Sequence, residues 1–108
     1  MQSAFDIIAE PNRRAILDLL AVSEQSVGEI ERQLGMTQPT VSKHLRVLRE
    51  AGLVEVRQEA QRRVYSLRLE PLAEVDEWLD RYRALWEQRL DALHTEVARG
   101  KHERRSTT

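Results

Sequence analysis

The sequence predicts a mainly α fold carrying one β-hairpin, with elements in the order α-α-α-α-β-β-α. Three observations predict it. Apolar residues recur at helical spacing as far as Glu50, then alternate as in a strand from Leu53. Two short helical stretches, too short to stand alone, are separated only by Gly35-Met36-Thr37, the signature of a helix–turn–helix. From Pro71 to about Ala98 no breaker interrupts the last helical pattern, which at a rise of 1.5 Å per residue spans about 40 Å.

Each element has local reasons. Ser3 to Ala9 forms a short helix with Phe5 and Ile8 at i, i+3 spacing. Pro11 opens a second helix, where its missing N–H costs nothing, and Ile16, Leu17 and Leu20 form its inward stripe as far as Val22. Ser26 and Glu29 make a capping box for a third helix whose Val27, Ile30 and Leu34 face inward; Gly35 ends it. Thr37 is placed to cap the fourth helix, from about Gln38 to Glu50, with Pro39 tolerated in its first turn and Gly52 as its stop. Leu53 to Arg57 and Val64 to Leu69 read as strands joined by the polar stretch Gln58 to Gln61. The expected organisation is a single domain over residues 1–98 with an unstructured polar tail over 99–108.

Composition excludes several function classes. The 108 residues contain no cysteine, which removes disulfides, thiolate metal sites and thiol redox switching and fits a cytoplasmic protein. The N-terminal residues lack a basic region followed by an apolar one, so no signal peptide is read there, and no stretch reaches the roughly 20 apolar residues of a membrane span. Ser, His and Asp are present, yet no nucleophile elbow, phosphate loop or paired-carboxylate site surrounds them, so the chain does not read as an enzyme.

The net charge of −1 hides a segregated distribution. Residues 36–63 carry Lys43, Arg46, Arg49, Arg57, Arg62 and Arg63 against Glu50, Glu55 and Glu59, whereas the flanking segments are acidic. A phosphate-binding surface needs such a local excess of cation. Val41, Leu45 and Leu48 recur at i, i+4, i+7 and must face the core, which turns Ser42, Lys43 and Arg46 outward. Gln38 and Thr40 stand at the exposed N-terminal end. Gln can bond adenine, Lys or Arg can bond guanine, and Ser or Thr suits base edges or phosphate, so the fourth helix reads as one that enters a DNA major groove. Arg57, Arg62 and Arg63 cluster at or beside the hairpin tip, within reach of phosphate or an adjacent minor groove. His44 lies beside the inward stripe and reads as semi-buried; Arg49 reads as a backbone contact or a partner of Glu50.

Four segments carry a family resemblance: Glu10 to Leu17, Ser26 to Ile30, Thr37 to Leu48, and Ala51 to Val54. Over residues 4 to 97 the chain resembles the ArsR-type family of bacterial winged helix-turn-helix repressors. The resemblance implies that Gln38, Thr40, Ser42, Lys43 and Arg46 lie on the DNA-reading helix and Arg62 and Arg63 on the wing. It also implies dimerisation through the first and last helices, and repression of the chain's own or adjacent genes. The chain departs from the family pattern in two places. Ala60-Gln61 replaces a Gly-Arg pair at the wing tip, so a wider turn is expected, and Glu10 replaces an Asp, so a poorer cap is expected.

Metal sensing, common in that family, finds no support. Tyr82 follows Asp80 and Val97 follows His94 where second ligands would be wanted, and Asp91 with His94 is only a surface pair. No cofactor is expected; a small-molecule effector has room but no identifying residues. On the last helix Leu72, Val75, Leu79, Tyr82, Trp86, Leu90, Leu93 and Val97 repeat every three or four residues, widened by Trp78 and Leu85, a seam that wants another helix. Phe5 and Ile8 of the first helix are expected to join it in a homodimer, whose two reading helices would match an inverted-repeat operator in double-stranded DNA. A second reading stays open at this point: a winged-helix protein-interaction module, favoured by the missing Gly-Arg and the acidic last helix.

Overall fold

The computed structural model describes residues 3–106, with side chains described as far as Glu96. The elements are α1 (Ala4–Ile8), α2 (Pro11–Val22), β1 (Gln25–Ser26), α3 (Val27–Leu34), α4 (Gln38–Glu50), β2 (Val54–Glu59), β3 (Arg62–Leu67), a 3-10 turn (Glu70–Leu72) and α5 (Ala73–Ser106). They fall into two compact units, Met1–Val75 and Asp76–Thr108. The winged helix-turn-helix occupies the first.

Capping sets the boundaries of the short helices. Ser3 accepts from the Asp6 amide and Asp6 answers at the Ser3 amide; Ser26 and Glu29 repeat the arrangement at α3. Glu10 caps α2 by accepting from the Arg13 amide at 2.9 Å, so the longer side chain serves where a poorer cap was expected. The Arg13 and Arg14 guanidiniums turn back onto the carbonyls of Asp6, Ile7, Ile8 and Ala9, satisfying the end of α1. Gly35 ends α3 in the left-handed region at φ 65°, as expected. Thr37 does not cap α4 through its side chain; its hydroxyl instead meets Thr40 Oγ1 at 2.8 Å.

The core forms where the predicted stripes converge. Ile16, Leu17 and Leu20 of α2, Ile30 of α3, and Val41, Leu45 and Leu48 of α4 are buried together, with Leu53, Val54 and Tyr65 closing the sheet side. Ile7, not singled out by the sequence, is the α1 residue that enters it, while Ile8 packs only partly against it. A short strand unforeseen in the sequence, β1, pairs antiparallel with β3, giving the order β1-β3-β2. Two residues are too few for alternation to register.

The hairpin turn also differs from expectation. Glu59 pairs directly with Arg62, so the connection is the tight two-residue Ala60-Gln61. Ala60 takes φ 55°, a left-handed conformation that glycine would adopt more easily, and Gln58 Nε2 bonds its carbonyl at 3.1 Å. The turn is held by ladder register, which overrides the poor local residue choice. At the other end of the hairpin, the Arg68 amide donates to the Leu53 carbonyl at 2.7 Å.

Pro71 sits in the 3-10 turn, so α5 begins at Ala73, two residues later than the periodicity suggests. The helix also continues past Ala98 to Ser106. Lys101, Glu103, Arg104 and Arg105 are good helix formers, and only Gly100 argues against continuation. The side chain of Val97 and those of the expected tail at 99–108 lie outside the described ones. Within the first unit the start of α5 is tied to α1 by a bond of 2.7 Å from the Ala4 amide to Glu74 Oε1. Among the described residues no helix is long and apolar enough to cross a membrane.

Three outcomes follow. Leu45→Ala, at a side chain 1% exposed, should destabilise the fold by about 2–5 kcal/mol in chemical denaturation. Gly35→Ala should cost about 1 kcal/mol although a Cβ there meets nothing within 4 Å, because the cost is backbone strain alone. Acid should loosen α3. Hydrogen bonds from the Ser26 hydroxyl and amide, aided by Arg62, hold the Glu29 carboxyl below its ordinary value of 4.5. The unfolded chain therefore binds this proton first, so the stabilisation is present above 4.5 and lost as pH falls through the folded value; Glu29→Gln should flatten that part of the stability-versus-pH curve.

Candidate nucleic-acid interface

The position of α4 follows from its buried side. Val41 and Leu48 are fully buried and Leu45 nearly so, and α4 packs against α2, α3 and β2. The residues between them are thereby turned outward: Gln38, Lys43 and Arg46 are exposed, while Thr40 and Ser42 are half-buried. Gln38 Nε2 donates to Ser42 Oγ at 3.1 Å, one helical turn along, so these two polar groups share a face and restrain each other. Among the described residues no carboxylate pairs with Lys43 or Arg46. Of the predicted reading residues on α4, Gln38, Lys43 and Arg46 are thus exposed, Ser42 lies beside Gln38, and Thr40 is half-buried against the Thr37 hydroxyl.

His44 takes a different place. It is buried, its Nε2 lies 3.8 Å from Glu10 Oε2, and its Nδ1 has no hydrogen-bond partner among the described residues. The ring is thus a packing element between α4 and the start of α2, as its position beside the apolar stripe suggests. Arg49 is exposed, and no described carboxylate meets it, Glu50 included.

The three wing arginines are not equivalent. Arg57 stands opposite Val64 on β2, three positions before the turn, rather than at the tip. Its guanidinium donates to Glu24 Oε2 and, at 2.7 Å, to Glu59 Oε2; Glu24 foremost and then Glu59 raise its already high pKa. Arg62 donates to Glu29, the same carboxylate that completes the α3 capping box. Arg63 is exposed and has no carboxylate partner among the described residues. Arg62 and Arg63 flank a shallow groove against Ser26, Val27 and Gly28 at the start of α3. Sequence spacing could not reveal that Glu24 and Glu29 meet the wing, because each pairing closes a loop of 33 residues.

A second predicted surface lies on the last helix. In the second unit Leu79, Tyr82, Leu85, Trp86 and Leu93 are all exposed; Trp86 retains 64% of its surface and Leu93 54%. Tyr82 meets Trp78 edge to face at 5.3 Å. Arg83, beside this apolar stretch, is held by Asp76 and Asp80. In the first unit Phe5 is exposed, whereas Ile8 and Leu72 are partly used by the core and Val75 is half-buried.

Comparison with known proteins gives this arrangement a family. A family model described as "Bacterial regulatory protein, arsR family" matches residues 10–56, from the cap of α2 into β2. The chain is 43% identical over 79 residues to the HTH-type transcriptional regulator Rv2034 of Mycobacterium tuberculosis, covering 73% of this chain and 74% of that protein. It is 32% identical over 79 residues to the transcriptional repressor SdpR of Bacillus subtilis, covering 73% of this chain and 88% of that one. Among solved structures, the transcriptional repressor BigR from Xylella fastidiosa matches with a TM-score of 0.60 and 36% identity, over 74% of this chain and 80% of that chain. With the fold, the outward polar face of α4 and these relatives in agreement, the chain belongs to the ArsR family of bacterial regulatory proteins and is a DNA-binding transcriptional regulator, not an enzyme.

Proposed function

We propose that the chain works as a homodimeric repressor that recognises an inverted-repeat operator in its own or a neighbouring promoter. The observation that carries this reading is the surface of α4: Gln38, Thr40, Ser42, Lys43 and Arg46 on one side, with Lys43 and Arg46 bound to no described carboxylate. Cations left unpaired beside hydrogen-bonding side chains are what phosphate and guanine edges require. The hairpin supplies a second point of contact beside the groove.

Dimerisation is supported by the apolar surface of α5. Leu79, Tyr82, Trp86 and Leu93 recur on a helix otherwise rich in charge, and aromatic residues of this kind anchor interfaces. A second copy covers such a face symmetrically, and an inverted-repeat operator presents two half-sites about 34 Å apart, one turn of the double helix, one for each copy of α4.

Two outcomes test this. In gel-shift titrations with an operator fragment, Lys43→Ala and Arg46→Ala should each weaken binding by about tenfold or more, about 1–3 kcal/mol, without lowering thermal stability. Unchanged affinity in both variants removes α4 as the reader. In sedimentation equilibrium the wild type should be a dimer, and Trp86→Glu should shift it to monomer and abolish operator binding. A wild type that sediments as a monomer contradicts the dimer.

A further inference from the structure

The wing carries three arginines, and the structure divides them by what they already hold. The Arg57 guanidinium bridges Glu24, just before β1, and Glu59, its neighbour on β2. Arg62 is bound to Glu29 in the first turn of α3. Glu29 is itself fixed, accepting the Ser26 amide at 3.0 Å while Ser26 caps the Glu29 amide. Arg63, opposite Gln58 in the ladder, is exposed and meets no carboxylate among the described residues.

This division decides which arginine gains from a phosphate. Moving Arg62 from Glu29 to DNA exchanges one anionic partner for another and leaves an uncovered carboxylate beside a polyanion. Arg57 would leave two. Like charges so placed oppose binding, and the exchange returns little net attraction. Arg63 loses nothing, so its full charge-assisted hydrogen bond to phosphate is gained. We propose that Arg63 is the wing's phosphate contact, and that Arg57 and Arg62 are positioning residues which tie the hairpin to the segment before β1 and to α3. The inference rests on the reading of the chain as a DNA-binding regulator and assigns roles within its wing.

The test is a thermodynamic cycle between side chain and phosphate. Operator duplexes each carrying one neutral methylphosphonate in place of a phosphate are titrated with the wild type and with Arg63→Gln, Arg62→Gln and Arg57→Gln. In the wild type one methylphosphonate near the wing should cost about tenfold in affinity, the scale of a hydrogen bond to a charged group. With Arg63→Gln that penalty should vanish, and Arg63→Lys should restore it. With Arg62→Gln and Arg57→Gln binding should weaken while every phosphate keeps its penalty, and Arg62→Lys, able to hold Glu29, should recover affinity. The inference is overturned if Arg62→Gln or Arg57→Gln erases a phosphate's penalty, or if Arg63→Gln erases none. A wild type that binds no DNA overturns the functional reading as well, whereas strong binding with the penalties redistributed overturns only the wing assignment.

Discussion

The burial of one side of α4 is the constraint on which the rest depends. Val41, Leu45 and Leu48 leave no freedom in how this helix rotates, because each is sealed among α2, α3 and the sheet. Removing three aliphatic side chains from water stabilises the fold by several kcal/mol at about 25 cal/mol per Å². That energy fixes which residues look outward. Lys43 and Arg46 are presented to solvent because Val41, Leu45 and Leu48 are not. Packing thereby fixes which polar groups α4 offers to solvent, and on the proposed reading that is the row presented to DNA.

A second layer of organisation is electrostatic. Several arginines outside α4 hold the protein together: Arg13 and Arg14 close the end of α1, Arg57 and Arg62 brace the wing, and Arg68 joins Glu55 to Glu70. Such exposed pairs are individually weak, at about 0–1 kcal/mol. In the wing their effect is to withdraw Arg57 and Arg62 from competition, leaving Arg63 with no carboxylate among the described residues. A basic segment counted from sequence therefore overstates the charge available to a ligand. What matters is the residue of positive charge that internal carboxylates do not take up.

The helical part of the fold was legible because its signals are local. The Ser26–Glu29 capping box, Gly35 and the i, i+4, i+7 stripe of α4 are each contained within one or two turns, and each appears in the structure where the spacing puts it. The illegible parts are the long-range ones. β1 is too short to alternate, the tightness of the Ala60-Gln61 turn is dictated by ladder register, and Glu24 and Glu29 reach the wing across distant sequence. The outward face of α4 could be deduced by elimination from its apolar stripe. The unequal states of Arg57, Arg62 and Arg63 could not, since no pattern within the hairpin encodes what lies across from it. Thr37 shows the same limit on a smaller scale, offering its hydroxyl to Thr40 in place of the helix amides.

The central claim is that two copies of α4 enter successive major grooves on one face of the duplex. Guanine-methylation interference on operator DNA selected by the protein tests it most directly, because a methyl at guanine N7 blocks contacts in the major groove alone. The account predicts two symmetric patches of interference centred about one helical turn, roughly 10 base pairs, apart. A single patch, or binding indifferent to N7 methylation at every guanine, would contradict it.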